Sequence, residues 1–323
     1  MSPSGRDRPR QHLLSINDLV RPDLERILDL TESFAEVSER AIPRVPALRG
    51  KTVAWLFYED STRTRLSFEA AAKQLSADTL NFTVRSSSVN KGESVRDTVQ
   101  TIDAMGIDAI VVRHSCAGVP HRVGNWIDAS VINAGDGRHE HPTQALLDLY
   151  TARTHLGDLA GARVAIVGDI LHSRVARSDV LAFAAMGAQV TLVAPRPLLP
   201  SSLDGWPVTV THDFDDILGE IDICYLLRMQ LERQASALVP SLREFRAEYG
   251  LNSWRADRLA EGALIMHPGP MNRGVEIDGD VADRPNAVIT EQVANGVAVR
   301  MAVLFLLLGS GLDQAAGQKE IAA

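Results

Sequence analysis

Short apolar segments alternate with helix-like segments along most of this chain of 323 residues. The apolar segments have strand composition, and helical patterns lie between most of them. This alternation is typical of parallel sheets that are covered by helices on both faces. The sequence therefore predicts an α/β fold, with strands at 52–58, 79–84, 109–112, 131–133, 164–167, 189–193, 221–227 and 263–266.

The length of the chain favours two domains rather than one. A helix-like segment at 142–155 separates two groups of predicted strands. We therefore predict a first domain over residues 1–145 and a second over 150–290, each with a parallel sheet flanked by helices. The apolar face of a last helix, predicted at 291–310, needs a core to bury against, so this helix should return to complete the first domain.

Composition excludes several classes of protein. Apolar residues make up 45% of the chain and charged residues 23%, as in ordinary soluble globular proteins. The formal net charge of −8 disfavours a nucleic-acid partner. Cys116 and Cys224 are too few for a disulfide framework or a cysteine metal site, which fits a reducing cytoplasm.

Nothing in the sequence predicts export or a membrane. Residues 1–10 are polar and Arg-rich, and no apolar run follows them, so we expect a frayed tail rather than a signal peptide. The apolar stretch at 298–308 is interrupted by Arg300 and is too short for a bilayer, so we expect a core helix there.

The run Ser61-Thr62-Arg63-Thr64-Arg65 lies between a predicted strand and a helix-like segment that begins at Leu66. Backbone N–H groups at a helix N-terminus carry partial positive charge. Three hydroxyl groups and two guanidinium groups there could surround a phosphate with donors. A capped helix start with solvated arginines is the alternative, but capping alone does not explain this combination.

Further polar residues follow other predicted strands, where open α/β sheets bind their ligands. Arg113 follows the strand at 109–112. His141 and Gln144 are three residues apart at a predicted helix start, with Pro142 in the first turn, so both can serve one ligand.

Two other classes of site are disfavoured. Gly168 follows a strand, but the residues after it lack the glycine pattern of a dinucleotide fold. His139 and His141 have no further ligand at helical spacing, so no metal site is predicted.

Two arginines, Arg174 and Arg228, also follow predicted strands of the second domain. Their guanidinium groups suit a substrate with two carboxylates, because each guanidinium group can bind one carboxylate through two hydrogen bonds. In the loop His267-Pro268-Gly269-Pro270, the prolines remove donors and leave carbonyl groups to accept from a ligand N–H. Taken alone, this loop would be a plain turn.

Together and in this order, these motifs resemble those of the aspartate carbamoyltransferase family, within the aspartate/ornithine carbamoyltransferase superfamily. The resemblance runs nearly end to end and includes the 61–65 run, Lys91-Gly92-Glu93, Arg113-His114, His141-Pro142-Thr143-Gln144, Gly168-Asp169 with Arg174, Arg228-Met229-Gln230 and the 267–270 loop. It implies transfer of the carbamoyl group of carbamoyl phosphate to L-aspartate, in de novo pyrimidine biosynthesis, without a cofactor.

The resemblance also implies a role for each matching residue. The phosphate would be held by Ser61, Thr62, Arg63 and Thr64. The carbonyl oxygen of carbamoyl phosphate would be contacted by Arg113, which also meets the phosphate, and by His141 and Thr64. The carbamoyl amide would face Gln144 and the backbone of Gly269 and Pro270, whose peptide bond is expected to be cis. The aspartate would be bound by Lys91, Arg174, Arg228 and Gln230.

The loop at 86–91 resembles a segment that reaches into the active site of a neighbouring subunit. The resemblance therefore implies a homotrimer with shared active sites. It leaves open a regulatory chain or a dihydroorotase as a further partner.

Two alternatives remain. A transferase for ornithine or another amino acid shares the phosphate-binding half. The ornithine family, however, has a His-Cys-Leu-Pro loop where this chain has His267-Pro268-Gly269-Pro270. A non-catalytic sensor of an acidic metabolite could use the same fold.

Overall fold

The computed structural model describes residues 12–59, 61–82, 93–230, 233 and 238–309. The loop predicted at 86–91 and the tail at 1–10 lie outside these residues. The chain divides into two compact units, of which the first comprises 1–18, 26–137 and 297–323, and the second 19–25 and 138–296. Each unit is built on one parallel sheet flanked by helices, so the predicted α/β fold is confirmed.

The sheet of the first unit has four parallel strands in the order β2-β1-β3-β4. These strands are β1 (Thr52–Phe57), β2 (Asp78–Phe82), β3 (Ala109–His114) and β4 (Ser130–Asp136). Both faces of the inner strands are buried, as the continuous apolar runs of the sequence require. Leu13 pairs with the outer edge of β4 through two backbone hydrogen bonds of 2.9 Å.

The helices of the first unit flank this sheet. They are α1 (Arg21–Ser38, which begins in the second unit), α2 (Thr62–Gln74), α3 (Val95–Asp103) and α4 (Val119–Gly124). The side chain of Ser94 caps α3 by accepting from the N–H of Asp97.

The sheet of the second unit has five parallel strands in the order β7-β6-β5-β8-β9. The strands are β5 (Arg163–Val167), β6 (Gln189–Val193), β7 (Val208–Thr211), β8 (Ile223–Leu226) and β9 (Leu264–Met266). The helices are α5 (Pro142–Leu156), α6 (Arg174–Ala185), α7 (Leu242–Tyr249), α8 (Ser253–Ala256), α9 (Gly279–Ala282) and α10 (Ile289–Leu308). Short 3₁₀ turns lie at Ile16–Asp18, Arg196–Leu198 and Asp215–Glu220.

The last helix, α10, begins in the second unit and ends in the first. Its 20 residues are long and apolar enough to cross a membrane by length and composition alone, so the sequence-based length argument was wrong. The packing of its last three turns is that of a core helix. Phe305 meets Phe34 of α1 edge-on at 5.7 Å between ring centroids, and the buried Arg300 lies over Phe68 of α2.

Two elements differ from the sequence-based prediction. The helix α2 begins at Thr62 rather than Leu66, because Ser61 adopts the extended backbone of an N-cap residue. The hydroxyl and arginine run therefore forms the first turn of α2 instead of a loop before it. The strand β7 was not predicted, because it is a short, half-exposed edge strand that pairs only with β6.

The strand order reverses once in each sheet. In the first unit, β2 and β3 lie on opposite sides of β1, so the reversal lies between β1 and β3. In the second unit, the reversal lies between β5 and β8. At such a switch point the loops after two neighbouring strands diverge and open a crevice at the carboxyl edge of the sheet. Each unit thus has one site where its topology favours a ligand.

Candidate functional site

The N-terminus of α2 lies at the switch point of the first sheet. Ser61 is its N-cap residue, yet the Ser61 side chain makes no capping hydrogen bond to the part of the helix that the structure describes. The first bond of the helical ladder runs from the N–H of Arg65 to the carbonyl of Ser61 at 3.2 Å. The N–H groups of Thr62, Arg63 and Thr64 therefore precede the ladder and point out of the helix end.

The charge around this helix end is favourable for an anion. The first turn of α2 contains no acidic residue, although Asp and Glu are usually favoured there. Thr62 and Arg63 are exposed, whereas Thr64 is 7% exposed. These features combine backbone dipoles, hydroxyl groups and a guanidinium group in one turn, which is an arrangement suited to phosphate.

Arg113 lies on the other side of the same switch point, at the end of β3. Its backbone is paired with Phe57 of β1. Its Nη1 donates to the carbonyl oxygen of Ala134 at 3.2 Å, and its Nε lies 3.5 Å from a carboxylate oxygen of Glu59. The guanidinium group is thus held across the ends of three strands, with its side chain 14% exposed.

The loops beside Arg113 are fixed by buried polar contacts. The carboxylate of Asp136, fully buried, accepts from the N–H of Gly118 at 2.7 Å and from the side chain of Asn133 at 3.0 Å. The Nδ1 atom of His114 accepts from the N–H of Cys116 at 2.9 Å. Burial lowers the pKa of His114, which keeps its ring neutral and able to accept this bond.

In the second unit, His141 is the N-cap residue of α5 and Pro142 is the first helical residue. His141 is 4% exposed. Its backbone N–H donates to the hydroxyl oxygen of Ser178 at 2.9 Å, and that hydroxyl donates to Glu140 at 3.3 Å. These contacts fix the backbone that carries the imidazole ring.

Gln144 lies in the first turn of α5 and contacts a carboxylate one turn later. Its side-chain Nε2 donates to both oxygens of Asp148, at 3.1 and 3.2 Å. Asp148 is fully buried and also accepts from the hydroxyl of Tyr225 at 2.8 Å and from Nε2 of Gln292 at 2.6 Å. One carboxylate thus receives three neutral donors.

A second buried carboxyl group, that of Asp179 on α6, lies beside this cluster. Burial raises the pKa of Asp148 to about 6, while donation from Gln292, Tyr225 and Gln144 opposes that rise. Burial and the charge of Asp148 raise the pKa of Asp179 well above its ordinary value. Of the two carboxyl groups, Asp148 is therefore the one that ionises more readily.

The switch point of the second sheet is held together by Asp169, which is fully buried after β5. One of its carboxylate oxygens lies 2.7 Å from Nδ1 of His172, and the other accepts from the N–H of Gln230 at 3.1 Å. Arg174, the first residue of α6, is 3% exposed. Arg228, just after β8, donates to the side-chain oxygen of Gln230 at 3.2 Å.

The loop after β9 is also fixed from within the second unit. The N–H of Gly269 donates to Nδ1 of His267 at 2.8 Å, so Nε2 carries the ring proton and faces Glu276 at 3.2 Å. The Gly269–Pro270 bond is cis, as expected. The backbone N–H of His267 donates to the side-chain oxygen of Gln292 at 2.9 Å.

The predicted site residues therefore fall into two groups, one in each unit. The first group lies at the β1/β3 switch point: Ser61, Thr62, Arg63, Thr64 and Arg113. The second group lies at the strand ends and helix starts of the second unit: His141, Gln144, Arg174, Arg228, Gln230, Gly269 and Pro270. Lys91 lies outside the described residues.

The sequence analysis missed Asp148, Tyr225 and Gln292. Only Asp148 has a local signal, because it is a carboxylate four residues after Gln144 in an otherwise apolar helical stretch. Among the residues that the structure describes, no three His, Cys, Asp or Glu side chains group as metal ligands.

The first unit has hydroxyl and arginine side chains at a helix N-terminus, and the second has a buried arginine near its switch point. These features define the class: an α/β protein with a position suited to an anionic ligand at each sheet. Comparison with known families gives the particular family. The carbamoyl-phosphate-binding domain of the aspartate/ornithine carbamoyltransferases matches residues 11–154, and the Asp/Orn-binding domain of the same family matches residues 160–307. The chain belongs to the aspartate/ornithine carbamoyltransferase family.

Individual relatives lie on the aspartate side of that family. The chain is 58% identical over 308 residues to the aspartate carbamoyltransferase catalytic subunit of Acidothermus cellulolyticus, covering 95% of both chains. Aspartate transcarbamoylase from Trypanosoma cruzi, in complex with carbamoyl phosphate and aspartate, is 31% identical with a TM-score of 0.85, over 93% of this chain and 97% of that one. The catalytic subunit from M. jannaschii is 36% identical with a TM-score of 0.80, over 92% and 98%.

Proposed function

We propose that this chain transfers the carbamoyl group of carbamoyl phosphate to the amine of L-aspartate, giving N-carbamoyl-L-aspartate and phosphate. The observation that carries the proposal is the pair of arginines at the second switch point, Arg174 and Arg228, in a chain whose relatives are named for aspartate. Two fixed cations match a substrate with two carboxylates.

The phosphate of the donor is assigned to the first turn of α2. The N–H groups of residues 62–64 precede the helical ladder, and the Ser61 hydroxyl makes no capping bond within the described part of the helix. Thr62, Arg63 and Thr64 add side-chain donors. A dianionic phosphate is stabilised there by backbone dipoles and by the guanidinium charge together.

The carbonyl oxygen of the donor is assigned to Arg113, Thr64 and His141. When the amine attacks the carbamoyl carbon, negative charge grows on this oxygen, and donors already in position lower the barrier. A new C–N bond forms, the bond from carbon to the bridging oxygen breaks, and that oxygen leaves with its electron pair as phosphate. The amine loses one proton in this step, and the departing phosphate accepts it. The guanidinium group of Arg113 is suited to this role because its contacts with Ala134 and Glu59 hold it in one orientation.

The carbamoyl amide is assigned to Gln144 and to the backbone carbonyls of Gly269 and Pro270. The aspartate is assigned to Arg174, Arg228 and Gln230, with Lys91 as a further cation. Gln230 supports Arg228 directly, since its side-chain oxygen accepts from the Arg228 guanidinium group. These groups select a small dianion rather than a cation.

Aspartate-dependent release of phosphate tests this proposal. Purified protein with carbamoyl phosphate should release phosphate rapidly only when L-aspartate is added. Arg228→Gln should raise the KM for aspartate about 10-fold to 100-fold, because it removes a charge-assisted hydrogen bond to the substrate. Phosphate release that is equally slow with and without aspartate would favour the metabolite-sensor alternative instead.

We also propose that the protein acts in the cytoplasm as a homotrimer with shared active sites, in de novo pyrimidine biosynthesis. The resemblance of residues 86–91 to a segment that serves a neighbouring subunit supports the trimer. Lys91 is far in sequence from Arg174 and Arg228, and a neighbouring subunit can deliver it across a cyclic interface. A regulatory chain or a dihydroorotase remains open as a further partner of such a trimer.

Mixing two inactive variants tests the shared site. Trimers of the Lys91→Ala variant and of the Arg63→Ala variant are dissociated, mixed and allowed to reassemble. The mass of the reassembled protein is checked by light scattering. Shared sites require that some mixed interfaces carry both substitutions and others neither, so part of the activity returns. Verified mixed trimers with no activity would refute the shared site, and a monomeric mass would refute the trimer.

A further inference from the structure

The side-chain amide of Gln144 has its orientation set by a buried carboxylate. Both oxygens of Asp148 accept from the Nε2 atom of Gln144, at 3.1 and 3.2 Å. An ionised carboxylate can only accept hydrogen bonds, so it selects the NH₂ end of the amide. The carbonyl oxygen of Gln144 is therefore the end left to face a ligand. An acceptor at that position matches the N–H of a carbamoyl group.

A second amide, that of Gln292 on α10, is oriented by the same carboxylate. Its Nε2 donates to Asp148 at 2.6 Å, and its Oε1 accepts from the backbone N–H of His267 at 2.9 Å. The His267 ring in turn accepts from the N–H of Gly269 at 2.8 Å. A continuous chain of hydrogen bonds thus runs from Gln144 through Asp148 and Gln292 to the 267–270 loop.

Every residue between the two ends of this chain is buried. Asp148 is fully buried, and Gln292 and His267 are 2% and 1% exposed. Buried polar networks of this kind hold their members in one arrangement, because any rearrangement leaves a donor or an acceptor unsatisfied. Tyr225 completes the set of donors to Asp148 from β8.

We propose that Asp148 and Gln292 are positioning residues for the carbamoyl group: they aim the carbonyl oxygen of Gln144 and the carbonyls of the 267–270 loop at its amide N–H. Neither residue touches the substrate in this account. The inference rests on the proposed function, since it takes carbamoyl phosphate as the ligand. It adds two residues, on α5 and α10, that the motifs of the sequence did not single out.

The ionisation of the cluster agrees with this role. Asp179 beside Asp148 takes the proton of the pair, because burial and the charge of Asp148 raise its pKa well above its ordinary value. Asp148 is the group of the pair that ionises more readily, and its donors in the described structure, Gln144, Tyr225 and Gln292, are neutral. The Asp148 side chain can therefore hold Gln144 and Gln292 by hydrogen bonds.

The test compares two acyl phosphates that differ only at the group being recognised. Acetyl phosphate has a methyl group where carbamoyl phosphate has an amide. Asp148→Asn keeps the shape of the side chain but places an NH₂ group against one of its donors, which favours rotation of the Gln144 amide. We expect the Kd for carbamoyl phosphate to rise about 10-fold and the Kd for acetyl phosphate to change less than about 2-fold, by calorimetry without aspartate.

The matched control is Asp179→Asn, which makes the same Asp-to-Asn replacement at the neighbouring buried carboxyl group. The described structure gives this group no hydrogen bond to Gln144. It should leave the ratio of the two Kd values unchanged. If Asp148→Asn does not fold, as judged by its thermal unfolding, Gln292→Met takes its place and should change the ratio in the same direction. On a Gln144→Ala background, Asp148→Asn should add little further change to this ratio.

An equal rise in both Kd values, or no rise for carbamoyl phosphate, would overturn the positioning role. The outcome is independent of turnover, because binding is measured without the second substrate. Wild-type protein that binds carbamoyl phosphate but does not carbamoylate aspartate would refute the proposed function, while the two Kd values would still decide the role of Asp148.

Discussion

Arg63 shows how a single side chain can be assigned to function rather than to stability. It lies in the first turn of α2, where its side chain is exposed and packs into neither core. Arg65, two residues later, donates instead to Asn81 of β2 at 3.3 Å. The two arginines have the same charge but differ in exposure, since Arg65 is half-buried, so they form a matched pair for mutation.

We predict that Arg63→Ala lowers kcat about 100-fold to 1000-fold, because it removes a donor to the departing phosphate. Its free energy of unfolding should change by no more than about 0.5 kcal/mol, since the substitution is on the surface. Arg65→Ala is the control and should have a smaller effect on kcat. A steady-state assay and a urea titration measure both quantities, and a loss in kcat below about 10-fold for Arg63→Ala would contradict the assignment.

The sequence was sufficient for residues whose chemistry is local to a strand end. The 61–65 run and the 267–270 loop come soon after a strand, and Arg113 lies near the end of one. A few neighbouring residues of sequence were therefore enough to predict that these groups lie at the carboxyl edge of a sheet. The contact between Gln292 and Asp148 joins residues 144 positions apart. No periodicity or motif encodes such a pair, because only the packing of α10 on the second unit brings the two side chains together.

At the scale of elements, the approach of β5 to β8 is set by a glycine. Gly168, just after β5, has a φ of +123°. A Cβ atom at this position would lie 3.0 Å from the carbonyl oxygen of Leu227, at the end of β8. Arg174 and Arg228 follow these two strands. A Cβ atom at position 168 that pushes the strand ends apart therefore shifts the two arginines relative to each other.

We predict that Gly168→Ala raises the KM for aspartate at least about 10-fold, with a smaller effect on the Kd for carbamoyl phosphate. Gly161→Ala is the control, because Gly161 also has a positive φ, of +80°, but its Cβ would meet no atom within 4 Å. The control should lose only about 1 to 2 kcal/mol of stability from backbone strain. Equal KM values for aspartate in the two variants would show that the close approach of the strands does not position the arginines.

The strand pattern predicted most elements because inner strands of parallel sheets are apolar on both faces. The exceptions have physical causes. The strand β7 is half exposed and is specified by the free edge of β6 rather than by its own burial. The start of α2 depends on the backbone angles of Ser61, and a run of hydroxyl and arginine side chains has no apolar period that would reveal the first turn.

Across the whole molecule, the donors that we propose for phosphate belong to the first unit, and the arginines that we propose for aspartate belong to the second. Neither unit therefore contains the full set of groups that the transfer requires. The sequence predicted this division from two groups of strands and two kinds of anion-binding motif. The residue limits predicted for the two domains stay a prediction.

Selection of aspartate by the second unit can be measured in a competition experiment. Wild-type protein is given carbamoyl phosphate with equal concentrations of L-aspartate and L-ornithine, and both carbamoylated products are quantified by mass spectrometry. Their ratio equals the ratio of the two kcat/KM values. We predict N-carbamoyl-L-aspartate in excess by at least about 100-fold. An equal or larger amount of N-carbamoyl-ornithine would contradict it.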